Sequence, residues 1–366
     1  MIKPDTGTVT AAPKVLLHDH LDGGLRADTV VELAREQHYT ALPTQDGDEL
    51  ARWFTRGANQ RNLELYLETF AHTVGVTQTK DALIRMGSEA AEDLASDGVV
   101  YAEVRFAPEL HTKAGLTLDE VVDAVLEGCR LGTKNSELTI GVLCTAIRTA
   151  AHSYEIAELA VRHRDQGVVG FDIAGAEAGY PPTRHLDAFQ LAMRENFHIT
   201  IHAGEAFGLP SIAEALNYCG AERLGHGVRI INDIAIDSES GAPVLGRLAT
   251  YVRDRRIPLE MCPTSNVHTG AAESISQHPI GLLKQLQFRV TVNTDNRLMS
   301  DVTLSDEFVK LVDAFDYTLD DIEWLTINAM KSAFHPFDQR IRIINEIIKP
   351  GYVKLKAKQQ PPAGLI

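Results

Sequence analysis

Eight short apolar runs recur along the chain, each followed by a stretch of helical periodicity, and this alternation restricts the fold more than any other feature. The runs are 15–20 (VLLHDH), 98–106 (GVVYAEVRF), 139–147 (TIGVLCTAI), 167–173 (GVVGFDI), 198–202 (HITIH), 222–226 (ERLGH), 256–261 (RIPLEM) and 288–293 (FRVTVN). Several are continuously apolar and β-branched, the pattern of parallel strands covered on both faces. Between them DALIRMGSEAAEDLAS, SYEIAELAVRHRD, RHLDAFQLAMREN and SIAEALNYC read as amphipathic helices, and 29–32 (TVVE) and 117–120 (TLDE) have capping-box spacing. The alternation predicts an α/β fold, a (β/α)8 TIM barrel, with a doubly wound open sheet as the alternative.

Residues 1–366 are expected to form a single domain. The stretch of about 40–75 is too long for one crossover helix and predicts a helical cap inserted between strands 1 and 2, over the barrel mouth. Residues 233–244 read as a polar surface loop, 317–349 as C-terminal helices starting from a Thr318 cap, and the tail KAKQQPPAGLI as frayed.

Lys and Arg number 35 against 50 Asp and Glu, a formal net charge of -15. Such a surface repels phosphate backbones and anionic lipid, so the expected partner is a small molecule, with no nucleic acid and no membrane. Cys129, Cys144, Cys219 and Cys262 are scattered and form no CxxC pair. MIKPDTGTVTAAPK lacks the apolar core of a signal peptide, and cytoplasmic residence is expected.

In a barrel the C-terminal strand ends build the active site. His18, His20 and Asp22 end the first run, His202 and Glu205 the fifth, and His226 the sixth. Cys262-Pro263-Thr264-Ser265-Asn266 follows the seventh, and Asp295-Asn296 the eighth. Two residues apart on a strand, His18 and His20 share a face. Each feature has a plainer reading: an HxH can be a hydrogen-bonded pair, GHG a tight turn, Asp295 a helix cap. Their placement at one end of different strands favours a metal site, zinc first, with Fe2+ or Co2+ as alternatives. His38, His72, His111, His152, His163, His185, His198, His268, His278 and His335 read as structural or solvent-facing. No lysine lies between Lys134 and Lys284, so strands four to six offer no bridging carbamylated lysine, and one ion per chain is expected.

HDHLDGG, FDIAGAE (171–177), HAGE (202–205), RLGHG (223–227), CPTSN (262–266) and NTDN (293–296) together resemble the adenosine deaminase family of the amidohydrolase superfamily, in its actinobacterial form. The resemblance spans about residues 12–345. It implies His18, His20, His202 and Asp295 as metal ligands and Glu205 as the acid facing purine N1. It implies His226 and Asp295 as groups orienting the attacking water, His226 being the candidate to take its proton. It further implies His20, Asp22, Gly175 and Asn296 as substrate contacts, Asp22 at the ribose 5′-hydroxyl and Gly175 N–H at purine N3, with Ser265 beside the metal. Asn296 departs from the family, which places a second aspartate there; an asparagine amide donates to purine N7 without needing to be protonated. The implied reaction is deamination of adenosine and 2′-deoxyadenosine in purine salvage, by a monomer or weak homodimer with one Zn2+ per chain. The alternative is a deaminase of adenine or of a modified nucleoside such as 6-aminodeoxyfutalosine.

Overall fold

A computed structural model describes residues 3–359. Eight parallel strands correspond to the eight apolar runs: β1 (Lys14–His20), β2 (Val99–Phe106), β3 (Thr139–Ile147), β4 (Val168–Ala174), β5 (Thr200–Ala203), β6 (Arg223–His226), β7 (Leu259–Met261) and β8 (Val290–Val292). They pair in chain order as two four-stranded sheets, β1 to β4 and β5 to β8. Parallel bridges join the sheets at both edges, Phe171 with Ile199 and Asp19 with Asp295, so the strands follow one another around a (β/α)8 barrel. The last two strands start later than their apolar runs. Arg256 and Gln287 adopt left-handed backbone (φ 57° and 62°) that closes the preceding helices, so extended structure resumes only beyond them.

Helices alternate with the strands. Thr117 caps Leu118–Thr133 in a complete capping box with Glu120, and Thr318 and Asp321 do the same for Leu319–Ser332. The 29–32 box does not form. That helix begins at Ala27, and Thr29 instead donates to Glu89 at 2.6 Å across to the helix Lys80–Ser96. The stretch 233–244 is not a plain loop: Ile234–Ile236 and Pro243–Leu245 pair as a short antiparallel hairpin, its turn closed by bonds from Ser240 N–H and O–H to Asp237. Residues 337–359 run as one helical stretch with a π segment at Ile343–Ile348. Residues 356–359 of the tail are therefore helical, and the rest of KAKQQPPAGLI lies outside the described residues. Three helices occupy the stretch expected to form a cap: Gly47–Ala58, Leu63–Glu68 and Phe70–Val76. Among the described residues no helix is long and apolar enough to cross a membrane.

The barrel interior is ionic rather than filled with branched aliphatics. Glu103 and Arg105 on β2, Asp172 on β4, Arg223 on β6 and Glu260 on β7 are all buried. Arg105 reaches Asp172 (3.0 Å) and Glu260 (2.9 Å), while Arg223 reaches Glu260 and Glu103, both at 2.6 Å. Bonds between strands that are not neighbours can run only across the barrel axis. Every carboxylate here has a guanidinium partner, as burial of charge demands.

Candidate active site

The β8–β1 seam creates the site. Asp295 N–H donates to His18 O (3.0 Å) and His20 N–H donates to Asp295 O (2.6 Å), so the backbone sets the aspartate between the two histidines. Asp295 and His226 both hold left-handed backbone, each with φ 61°. Such strain in non-glycine residues concentrates at functional sites. The side chains then converge. His20 Nε2 lies 3.1 Å from His202 Nε2 and 3.5 Å from Asp295 Oδ1, and His18 Nε2 lies 3.3 Å from the same oxygen. Ligand atoms of a tetrahedral ion with bonds near 2.05 Å stand about 3.3 Å apart, which is the spacing seen. His226 also offers an atom, within 4.8 Å of those from His18, His202 and Asp295, but sits further out, with Nε2 4.0 Å from Asp295 Oδ2.

The donor set fits a cation. His18 Nε2 is buried without a hydrogen-bond partner. The opposite ring nitrogens are held by carboxylates, His18 Nδ1 by Glu260 (2.9 Å) and His202 Nδ1 by Asp172 (3.1 Å). This turns both Nε2 lone pairs toward the centre, the usual support for metal-binding imidazoles. Burial lowers the pKa of His202 and takes that of His20 to about 4, favouring the neutral rings a metal needs. For His18, burial and Arg105 oppose protonation, but the adjacent Asp295 and Glu260 carboxylates outweigh them and raise its pKa. A cation between His18 and Asp295 would take that proton's place. Ser265 donates to Asp295 Oδ2 at 2.6 Å and fixes the carboxylate's rotation.

Glu205 lies beside this cluster, its Oε2 3.5 Å from His226 Nε2. Its backbone is set by Glu177, whose carboxylate accepts from four successive amides: Gly204 (2.6 Å), Glu205 (3.0 Å), Ala206 (2.7 Å) and Phe207 (2.9 Å). Gly204 serves this turn with φ 79°, and a Cβ there would stand 2.5 Å from Ile212 Cδ1. Burial, and then the charge of Asp295, raise the Glu205 carboxyl well above the usual range and favour its protonated form. Thr269 (2.9 Å) and Asn266 (3.4 Å) both donate to Oε1, which leaves Oε2 as the oxygen free to carry a proton. Burial would raise Asp295 too, but the adjacent His18 ring and the other surrounding imidazoles hold it well below the usual range.

Asn266 settles the His226 tautomer. Its Oδ1 accepts from the Cys262 backbone N–H (3.3 Å), which can only donate, and from His278 Nε2 (3.1 Å). The amide NH2 therefore faces His226 Nδ1 at 3.0 Å, and the neutral ring carries its hydrogen on Nε2, toward Glu205 and Asp295.

His20, His202, Glu205, His226 and Asp295 line a cavity of about 290 Å3, together with Leu63, Tyr66, Leu67 and Phe70. Gly175 and Asn296 border it, and so does Asp22, whose Oδ1 is buried without a hydrogen-bond partner. Sequence reasoning missed the groups behind this wall: Asp172, Glu260, Glu177, Asn266 and Thr269. It also set aside two histidines that back the site, His278 on Asn266 and His111, whose Nε2 lies 3.8 Å from Asp22 Oδ2. A carboxylate inside an otherwise apolar strand run, as in GFDI and PLEM, is the signal that could have found Asp172 and Glu260.

A parallel barrel whose strand ends bring imidazoles and an aspartate together beside a buried acid defines a hydrolase of the amidohydrolase type. The chain belongs to the adenosine deaminase family, whose profile, described as adenosine deaminase, matches residues 13–350. It is 64% identical to "Adenosine deaminase 1" of Streptomyces coelicolor over 360 residues, covering 97% of this chain and 91% of that protein. It is 59% identical to an adenosine deaminase of Mycobacterium tuberculosis over 357 residues, covering 96% and 98%. In fold it resembles a zinc-bound amidohydrolase from Burkholderia ambifaria at TM-score 0.85 and 22% identity, covering 96% of this chain and 94% of that one.

Proposed function

We propose that the protein hydrolyses adenosine and 2′-deoxyadenosine to inosine and 2′-deoxyinosine with release of ammonia, serving purine salvage in the cytoplasm. The observation that carries this reading is the buried Glu205, its carboxyl pushed well above the usual range, beside the histidine–aspartate cluster in a cavity the size of a small ligand. Relatives of about 60% identity named adenosine deaminase support it. The barrel and its 40–75 cap act as one domain, as a monomer or weak homodimer.

His18, His20, His202 and Asp295 would hold one metal ion, Zn2+ by the nitrogen-rich donor set, with Fe2+ or Co2+ as substitutes. When bound, that ion lowers the pKa of water and supplies a nucleophile near neutral pH. The side chains do the rest. Glu205 Oε2 gives its proton to purine N1, making C6 electrophilic as the water oxygen adds there. His226 was expected to take the water's proton, but with its hydrogen on Nε2 the neutral ring instead donates to that oxygen and holds it in line, and ionised Asp295 is the neighbouring group able to accept the proton. The proton accepted by Asp295 passes to the C6 amino group, which leaves as ammonia, and loss of the oxygen's remaining proton to Glu205 forms the C6 carbonyl and restores the acid. The free Asp22 Oδ1 accepts from the ribose 5′-hydroxyl, which favours a nucleoside over free adenine. The Gly175 amide meets N3 and the Asn296 amide N7. The cavity's apolar lining excludes bulk water.

A panel of adenosine, 2′-deoxyadenosine, adenine, AMP and 6-aminodeoxyfutalosine, resolved by liquid chromatography, tests the assignment. Adenosine and deoxyadenosine should give the highest kcat/KM, and preference for any other compound would replace them. Chelation should abolish turnover and lower the unfolding temperature, and adding back Zn2+ should restore both, with elemental analysis giving one equivalent per chain. Asn296→Asp should still deaminate adenosine. Its kcat/KM should fall as pH rises, because aspartate donates to N7 only when protonated, whereas the parent should show no such loss.

A further inference from the structure

A second cavity, about 500 Å3 in volume, opens at the far end of the barrel. It lies at the N-terminal ends of β5 to β8, bordered by His198, Arg223, Pro258 and Arg289, and is flanked by residues 331–335 and Arg340. Arg223 is committed to Glu103 and Glu260 inside the barrel. Five further cations line the cavity: Arg255, Arg256, Arg289, Lys331 and Arg340. None has a carboxylate within 4.0 Å among the described residues. Glu222 is the only described carboxylate in the wall, and it is engaged by His198 Nδ1 at 2.9 Å. This happens in a chain where acids outnumber bases 50 to 35, so counter-charges are plentiful elsewhere.

Two of these guanidiniums are also partly stripped of water. The Nε atoms of Arg289 and Arg340 are buried without any hydrogen-bond partner. Burial, and then the like charges of Arg256 and Arg340, hold Arg289 below the usual guanidinium range. Mutual repulsion and unmet donors both call for an anion.

We propose that this cavity binds a small polyvalent phosphate anion, on Arg256, Arg289, Lys331 and Arg340. Guanidinium forks match phosphate oxygens two at a time, and several cations at one point exceed what a single carboxylate neutralises. Tyr251, exposed at the wall, offers an aromatic face, so the phosphate source is either an inorganic chain or a nucleotide whose base stacks on that ring.

The full-length enzyme, titrated calorimetrically at low ionic strength with pyrophosphate and separately with ATP, provides the test. Saturable binding is expected, weakened at least about tenfold in the double variant Arg289→Gln/Arg340→Gln. Retained deamination shows that the variant is folded. If it is not, the exposed Lys331→Ala, expected to weaken binding severalfold, decides instead. Equal affinity for the two probes supports a phosphate-chain site, and tighter ATP binding supports a nucleotide site. No saturation by either probe up to about 10 mM, binding that the variants leave unchanged, or binding seen only with a polynucleotide would each overturn the proposal.

Discussion

Glu205→Gln is expected to lower kcat on adenosine by about 10²–10⁴-fold, the range over which a positioned proton donor contributes. The substitution is nearly isosteric. The amide oxygen can still accept from Thr269 and Asn266, and Glu177 still grips the backbone of residues 204–207 through its four amide bonds. What disappears is a transferable proton. An amide can hydrogen-bond purine N1 but cannot protonate it, so C6 stays a poor electrophile. Metal content by elemental analysis and the unfolding temperature should match the parent, because Glu205 is outside the proposed ligand set. Turnover within about tenfold of the parent would remove Glu205 from the mechanism.

Glu260→Gln should have the largest effect on stability, about 3–5 kcal/mol, with metal affinity falling about 10–100-fold. One carboxylate here serves four partners: Arg105 at 2.9 Å and His18 at 2.9 Å through Oε2, and Arg223 at 2.6 Å and the Thr200 hydroxyl at 3.1 Å through Oε1. Burial alone would raise its pKa, yet Arg105 and Arg223 hold it well below the usual range. Neutralising it leaves Arg105 with Asp172 alone and Arg223 with Glu103 alone as charged partners, and loosens the His18 ring. Glu103→Gln is the discriminating control, since Glu103 meets Arg223 and Tyr101 but no histidine. It should destabilise the fold while leaving metal affinity nearly unchanged. Equal loss of metal affinity in both variants would show that the effect runs through general destabilisation. Thermal unfolding of the metal-free protein and competition with a zinc chelator separate the two.

The barrel was readable because its signal is repeated and local: each strand is an apolar run, and each run is followed by a helical period. The rim residues were readable because imidazoles and carboxylates at strand ends stand out against that background. Less accessible were features created by pairing across the barrel. Glu260 lies 242 residues from His18 in the chain, and Asn266 is 40 from His226; such contacts leave no periodic trace. Thr29 had the right spacing for a cap, but a long-range bond to Glu89 claimed its hydroxyl, and tertiary structure overrode the local pattern. The hairpin at 234–245 escaped notice because its strands are three residues each, too short for an alternation to show.

The charged interior also limits how this enzyme can be redesigned. Replacing buried ion pairs with well-packed aliphatics is often neutral or stabilising in other proteins. Here that route is closed for Glu260, because the same carboxylate that anchors two arginines also aims His18. Thermostabilising substitutions should therefore be sought in the outer helices and the 234–245 hairpin. A library randomised along the barrel axis would trade heat resistance against metal retention.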